Sequence, residues 1–237
     1  MDMLQTILGH VRRADTDFSL IDDGDRIAVG LSGGKDSLTL CAVLAKYRDI
    51  GLKKFELMAI SVDCTDGKTD FSRVTKFCDD LGIKHHVESS QIFKVIFDER
   101  KEKSPCSLCA KMRRGVLNGT AVRLGCNKVA LGHHGDDLLE TFLLCLMYEG
   151  RISTFAPKTY LDRTDITVLR PLVYASERET IACSRTYPIL NNCCPVNGKT
   201  QREYMKNLVK TIGKDIKSVR ERMLDAIIKK QIWEKQD

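Results

Sequence analysis

Ser32-Gly33-Gly34-Lys35-Asp36-Ser37 gathers two glycines, two hydroxyls, a lysine and a carboxylate in six residues. The apolar run Ile27–Leu31 leads into it, and an apolar-periodic segment, Leu38–Tyr47, follows. A strand, a glycine turn and a helix start make a phosphate-holding arrangement. Glycines let the backbone approach an anion, and the unpaired N–H groups of the helix N-terminus point at it. The segment is not a Walker P-loop: Val29 stands where that motif needs its first glycine, and Asp36 replaces the hydroxyl residue after the lysine. A carboxylate beside a polyphosphate is unfavourable unless a cation lies between them, so Asp36 argues for Mg²⁺.

Pro105-Cys106-Ser-Leu-Cys109 enters a helical pattern and presents a second kind of chemistry. A C-x-x-C turn lets two sulfurs face one metal centre, and Cys193-Cys194-Pro195 supplies thiolates much later in the chain. Adjacent cysteines rarely aim both sulfurs at one ion, so three ligands are expected: Cys106, Cys109 and one of Cys193 or Cys194. Three thiolates with an open position suit an iron–sulfur cluster, while zinc and a redox dithiol are the other readings of the same residues. Cys41, Cys64, Cys78, Cys126, Cys145 and Cys183 read as small apolar core residues.

Leu131-Gly132-His133-His134-Gly135-Asp136-Asp137 follows a strand pattern and opens a helix. His133 and His134 are placed to bond a nucleotide or substrate. Asp136 and Asp137 are placed to hold Mg²⁺ or accept a proton, although acids favoured by the helix dipole give the same pattern. Arg113 and Arg114, one helical turn beyond Cys109, are within reach of phosphates or an RNA backbone, or form a solvated basic face.

These residues need a scaffold. Apolar runs at Ile27–Leu31, Phe55–Val62, Lys84–Val87 and Lys128–Leu131 alternate with helical patterns at Leu38–Tyr47, Phe71–Leu81, Lys111–Leu124 and Asp136–Met147. This alternation predicts an α/β fold, a parallel sheet with helices on both faces. Ser32, Asp63, Gly132 and His133 each follow a strand run and converge on the carboxyl edge, where such sheets bind ligands. Arg151–Asp165 reads as an irregular loop, and the chain after Leu172 reads as helical. From Gln201 the apolar residues keep one helical spacing to Ile227. The expected organisation is a single domain over 1–237, with about 172–237 as a helical, basic C-terminal part.

The length of 237 residues with 43% hydrophobic content suits one large domain. There is no apolar run of membrane-spanning length and no secretory core near Met1. Ten cysteines without such a leader indicate a reducing compartment, so a cytoplasmic protein with no membrane partner is expected. The formal net charge is +6, and from Lys199 onward eleven Lys/Arg stand against six Asp/Glu, a net +5. Arg202, Lys206, Lys210, Lys214 and Lys217 recur at helical spacing, a stripe able to track an RNA backbone or simply to face solvent. No aromatic stacking platform is visible.

The Ser-Gly-Gly-Lys-Asp-Ser motif resembles the PP-loop of the ATP pyrophosphatase superfamily, whose members cleave ATP between the α- and β-phosphates and transfer AMP to a carbonyl-type oxygen. The later motifs narrow the resemblance. Pro-Cys-Ser-Leu-Cys-x-x-x-Arg-Arg-Gly, Leu-Gly-His-His-x-Asp-Asp-x-x-x-Thr and Cys194-Pro195-Val-Asn-Gly198-Lys-Thr200-Gln-Arg202 occur in order. From Ile27 to Arg202 the chain is similar to the tRNA 2-thiocytidine synthetase (TtcA-like) family.

The resemblance implies a Rossmann-like PP-loop fold of the adenine nucleotide alpha hydrolase type. It also implies adenylation of the C2 oxygen of a cytidine (position 32 of the anticodon loop), followed by its replacement with sulfur. ATP and Mg²⁺ would engage Ser32, Gly33, Gly34, Lys35, Asp36, Ser37, Asp63, Gly132 and His133. Lys35, Asp36, Arg113 and Asp136 would be catalytic. Cys106, Cys109 and Cys194 would bind a [4Fe-4S] cluster, the late motif selecting Cys194 over Cys193. Arg114, Arg202, Lys206 and Lys210 would contact tRNA. A sulfur-donor protein or free sulfide is the other implied partner, and the reading admits a homodimer.

A related family thiolates uridine and carries cysteine knuckles at both chain ends. The lack of cysteine before Cys41 and after Cys194 favours the cytidine branch. The competing readings are a cluster-free PP-loop ligase or amidotransferase, a uridine 2-thiolase, and a zinc-stabilised RNA-binding protein.

Overall fold

A computed structural model describes residues 2–100, 105–190 and 201–233. Helix α1 (Met3–Phe18) begins at Asp2, whose carboxylate caps the Leu4 N–H, and buries Ile7, Leu8, Val11 and Ala14. The element order continues as β1 (Arg26–Gly30), α2 (Lys35–Ile50), β2 (Glu56–Asp63), α3 (Ser72–Asp80) and β3 (Lys84–Ser89). A π-helical stretch, Lys94–Glu99, then precedes α4 (Pro105–Arg123), β4 (Lys128–Ala130) and α5 (Gly135–Tyr148). The last elements are β5 (Lys158–Leu161), β6 (Ile166–Leu169), α6 (Glu177–Cys183), α7 (Gln201–Asp215) and α8 (Val219–Lys230).

The strands form one six-stranded sheet in the order β3-β2-β1-β4-β6-β5. All neighbours are parallel except β5 and β6. Strand alternation sorts the apolar residues into two cores. Ile27, Val29, Ala59 and Ala130 face the core that contains α1, α2, α5 and the C-terminal helices. Ala28, Ile60, Val62 and Val129 face Ile92, Ile96, Leu117 and Ala121 on the other side. The order reverses direction at β1, whose neighbours are β2 and β4, and the PP-loop and the β4–α5 turn both leave the sheet at that switch point.

The expected parallel sheet with helices on both faces is present, and two expectations need correction. The segment Arg151–Asp165 is not an irregular loop throughout: it contains β5, which makes the sheet edge antiparallel. Its alternation lasts only four residues and none of them is fully buried, too short a signal to read. The C-terminal pattern is two helices rather than one. Ser218 takes a left-handed conformation (φ 56°) between α7 and α8, while both helices turn apolar residues toward the same core.

Candidate active site

The PP-loop is wired before any ligand reaches it. Leu31 N–H donates to Ile60 O at 2.8 Å and holds the loop to β2. Gly33 has φ +76°, and a Cβ there would fall 2.5 Å from the Leu190 side chain. Leu190 N–H in turn donates to Gly33 O at 2.9 Å. Gly34 is the N-cap of α2 and offers no side-chain cap, so the first N–H groups of the helix stay directed outward. Ser37 is more brace than free donor: its buried hydroxyl donates to Gly34 O at 2.9 Å and accepts from Ser32 N–H at 3.2 Å.

Lys35 and Asp36 form a compact ionic centre. Lys35 Nζ lies 2.7 Å from Asp36 Oδ2 and 3.6 Å from Glu177 Oε1. Asp36 Oδ1 accepts from the buried Thr180 hydroxyl at 2.6 Å. The other Glu177 oxygen is 2.6 Å from Lys206 Nζ. Burial works to raise the Glu177 carboxyl, but the Lys206 hydrogen bond and the charges of Lys35 and Lys206 outweigh it and hold it below the usual range. Glu177 therefore links the phosphate-loop lysine to α7.

The β4–α5 turn packs on this loop through Gly132. A Cβ on Gly132 would lie 2.9 Å from Asp36 C and 3.0 Å from Ser37 N. Its visible role is close packing against the first turn of α2. His134 caps α5 in a reciprocal box with Asp137, using 3.3 Å and 3.0 Å hydrogen bonds. His133 lines the cavity: its buried Nδ1 has no partner among the described residues, and its ring lies 5.3 Å from that of Phe155. Burial, with nearby Arg170, pushes His133 down to about 4, so it is neutral at physiological pH.

Two carboxylates have structural partners that change their expected roles. Asp136 is not free to act as a base: Arg220 Nε and Nη2 hold its two oxygens at 2.5 Å and 2.9 Å, and Glu177 N–H donates at 2.7 Å. Despite burial, that arginine keeps the Asp136 carboxyl ionised below its usual range. Asp63 likewise turns into its own loop, accepting from Thr65 N–H, the Thr65 hydroxyl and Gly67 N–H. The adjacent Ile60 and Val62, rather than Asp63, line the cavity.

The expected RNA stripe is also divided. Arg202 lies 3.2 Å from Asp137 and 3.4 Å from Glu140, and Lys206 binds Glu177. Lys210 stays exposed. Burial pushes Glu140 up to about 7, with Arg202 opposing it.

A cavity of about 510 Å³ opens beside Ser32, His133 and Arg202. Its apolar end is built by Leu31, Ile60, Val62 and Leu117, and its polar side by Ser32, His133, Arg113, Arg114, Arg170 and Arg202. Cys106 is exposed and Cys109 half-buried on the first turn of α4, three residues apart and so on one helix face. Ala110 and Arg113, immediately beyond Cys109, line the cavity. Paired cysteine sulfurs are the donor set of an iron–sulfur site. Cys193 and Cys194 lie outside the described residues. Of the described residues that flank their segment, Leu190 N–H donates to Gly33 O of the PP-loop, and Arg202 donates to the Thr141 hydroxyl at the cavity wall.

A family model described as a PP-loop domain matches residues 8–211. The tRNA-cytidine(32) 2-sulfurtransferase of Geobacter metallireducens is 41% identical over 222 residues, covering 92% of this chain and 86% of that one. The protein of the same name from Geotalea uraniireducens is 41% identical over 226 residues, with 93% and 90% covered. This chain belongs to the tRNA-cytidine(32) 2-sulfurtransferase family. As a member of that family it is an enzyme, a transferase built on a PP-loop domain. In three dimensions it is similar to the U34-tRNA thiolase NcsA from Methanococcus maripaludis with its [4Fe-4S] cluster. That likeness has a TM-score of 0.77 at 21% identity and covers 97% of this chain and 78% of that one, which marks a shared fold.

The sequence reading did not find Glu177, Thr180, Arg220, Phe155 or Arg170 at this site. One signal was present: Ser176-x-x-Glu179 is a capping-box pattern that marks the start of α6, the helix that carries Glu177 and Thr180. No helix among the described residues is long and apolar enough to cross a membrane.

Proposed function

We propose that the chain is an ATP-dependent tRNA thiolase that replaces the C2 oxygen of a cytidine with sulfur, at position 32 as in its relatives' name. The observation that carries this reading is the shared wall: Ser32 of the PP-loop and Ala110 and Arg113, just beyond Cys109, line one cavity. Phosphate activation and thiolate chemistry thus open onto the same space.

Oxide is a poor leaving group, so the base must first be activated. The triphosphate of ATP would lie on Gly33, Gly34 and the start of α2, with the apolar end of the cavity receiving the adenine. The C2 oxygen attacks the α-phosphorus and pyrophosphate departs. Lys35 and Arg113 stabilise the charge that develops on the phosphates. As Lys35 moves onto the phosphates it releases Asp36 Oδ2, which becomes available to Mg²⁺. Sulfur then attacks C2, and AMP leaves with the former oxygen. Neutral His133 offers its Nδ1, which has no partner among the described residues, to the base or the nucleotide.

Cys106, Cys109 and Cys194 would hold a [4Fe-4S] cluster, which when bound supplies an open iron for sulfide delivery. The thiolase from Methanococcus maripaludis carries such a cluster. A sulfur-donor protein or free sulfide would renew the sulfur.

Anaerobic purification with iron and sulfide analysis, followed by assay of tRNA-dependent AMP and pyrophosphate release, tests the proposal. Iron and sulfide near four each per chain and AMP formation that requires tRNA are expected. A colourless protein with stoichiometric zinc and no iron would contradict the cluster, and AMP formation indifferent to tRNA would contradict the substrate.

A further inference from the structure

A second cavity, of about 640 Å³, lies against the first. Arg114, Leu117, Leu131, Phe155 and Arg170 line both, so one wall separates them. Beyond that wall the second cavity is bounded by Asn118 of α4, Lys158 and Thr159 of β5, and Trp233. No Asp or Glu among the described residues lines either cavity. Three cations, Arg114, Lys158 and Arg170, serve the second one. The Arg170 guanidinium stacks 4.9 Å above the Phe155 ring, and its buried Nε has no partner among the described residues. Lys158 Nζ donates to Ser19 O, a neutral acceptor, and Asp22, the carboxylate its charge acts on, lies outside the cavity lining.

We infer that this second cavity receives a nucleotide flanking the modified one, so that single-stranded RNA runs from the reacting cavity over the Arg170–Phe155 wall to Lys158 and Trp233. The inference rests on the reading of the chain as a tRNA-modifying enzyme. Three features match single-stranded RNA. Cations without acids suit a phosphate backbone, whose neutralisation supplies most of the affinity. The half-buried Trp233 offers an indole at this cavity, and stacking of unpaired bases on aromatics is how proteins hold splayed-out loops, while Phe155 backs the Arg170 guanidinium. Asn118 and Thr159 offer donors and acceptors for base edges. The path also differs from the α7 stripe, where Arg202 and Lys206 are already committed to acids.

Trp233 is the chain's single tryptophan, so its fluorescence reports on this cavity alone. An anticodon stem-loop with a cytidine-containing loop, titrated into the full-length holoenzyme, should quench Trp233, whereas ATP alone should not. Binding is followed in parallel by anisotropy of labelled RNA. Lys158→Gln should bind several-fold more weakly, with the slope of log affinity against log salt shallower by about 0.7, as for one lost phosphate contact on a single strand. Its thermal midpoint should stay at the wild-type value. Wild-type RNA affinity with unchanged Trp233 emission, and an unaltered salt slope in Lys158→Gln, would overturn this path and leave the thiolase reading standing. Absence of any stem-loop binding would overturn both.

Discussion

Gly132→Ala inserts a methyl group between the β4–α5 turn and the first turn of α2. The added carbon would meet Asp36 C at 2.9 Å, Asp36 O at 3.0 Å and Ser37 N at 3.0 Å. All three are backbone atoms, so no side-chain rotation relieves the contact. Leu38, Leu40, Val43 and Leu44 fix α2 in the core with no exposed surface, so the displacement falls on the PP-loop or on the turn. Reaching ordinary carbon contact requires a shift of roughly half an ångström. Overpacking of this kind costs about 1–3 kcal/mol, which lowers the Tm of a chain this size by roughly 2–12 °C. Because the moved atoms belong to Asp36 and Ser37, thiolation should fall about tenfold, in keeping with the steep rate loss that follows small misplacements. Gly9→Ala is the control: Gly9 lies on the exposed face of α1, nothing lies within 4 Å of the new carbon, and helix propensity predicts a gain of about 0.5–1 kcal/mol. Calorimetry for Tm and ATP affinity, with single-turnover thiolation for rate, reads both variants. A Gly132→Ala protein with wild-type Tm, ATP affinity and rate would refute the packing argument.

Three further outcomes are expected. Lys35→Ala or Asp36→Asn should abolish tRNA-dependent AMP release while iron content, measured on the same preparation, stays at the wild-type level. Arg220→Met removes the bidentate partner of Asp136, whose side chain is only 22% exposed, and should destabilise the chain by about 2–4 kcal/mol in urea unfolding; Asp136→Asn in the same chain should recover part of that loss. Glu140 titrates near 7 when folded, against 4.5 when unfolded. Between those values the folded chain holds a proton that the unfolded chain has released, so this group's contribution to stability falls as pH rises from 4.5 to 7 and is flat above. Glu140→Gln should remove that decline from a pH series of urea midpoints.

What was legible in the sequence was contiguous. Ser32–Ser37 carries its chemistry within one turn, and the strands before it and before Gly132 are continuous apolar runs. What was illegible depends on distant pairing. Asp36 meets Thr180 across 144 residues and Asp136 meets Arg220 across 84, and neither α6 nor α8 marks these partners by composition. Asp136 resembled a free catalytic acid because its arginine was out of local view. Phe155 and Trp233 were not linked in the sequence, one sitting in the short-stranded Arg151–Asp165 excursion and the other beyond α8, and only the fold brings them to one cavity. The helix break at Ser218 was hidden because the apolar spacing continues across it, both helices covering α5 and its neighbours.

In the proposed reaction this PP-loop activates a tRNA cytidine for sulfur attack. Mass spectrometry of nucleosides from tRNA incubated anaerobically with the iron-loaded protein, ATP, Mg²⁺ and sulfide measures it directly. The expected product is 2-thiocytidine, formed one for one with AMP and absent when Cys106→Ala or Lys35→Ala replaces the wild type. Iron-loaded protein that releases AMP yet leaves every cytidine unthiolated, or that thiolates uridine instead, would contradict it.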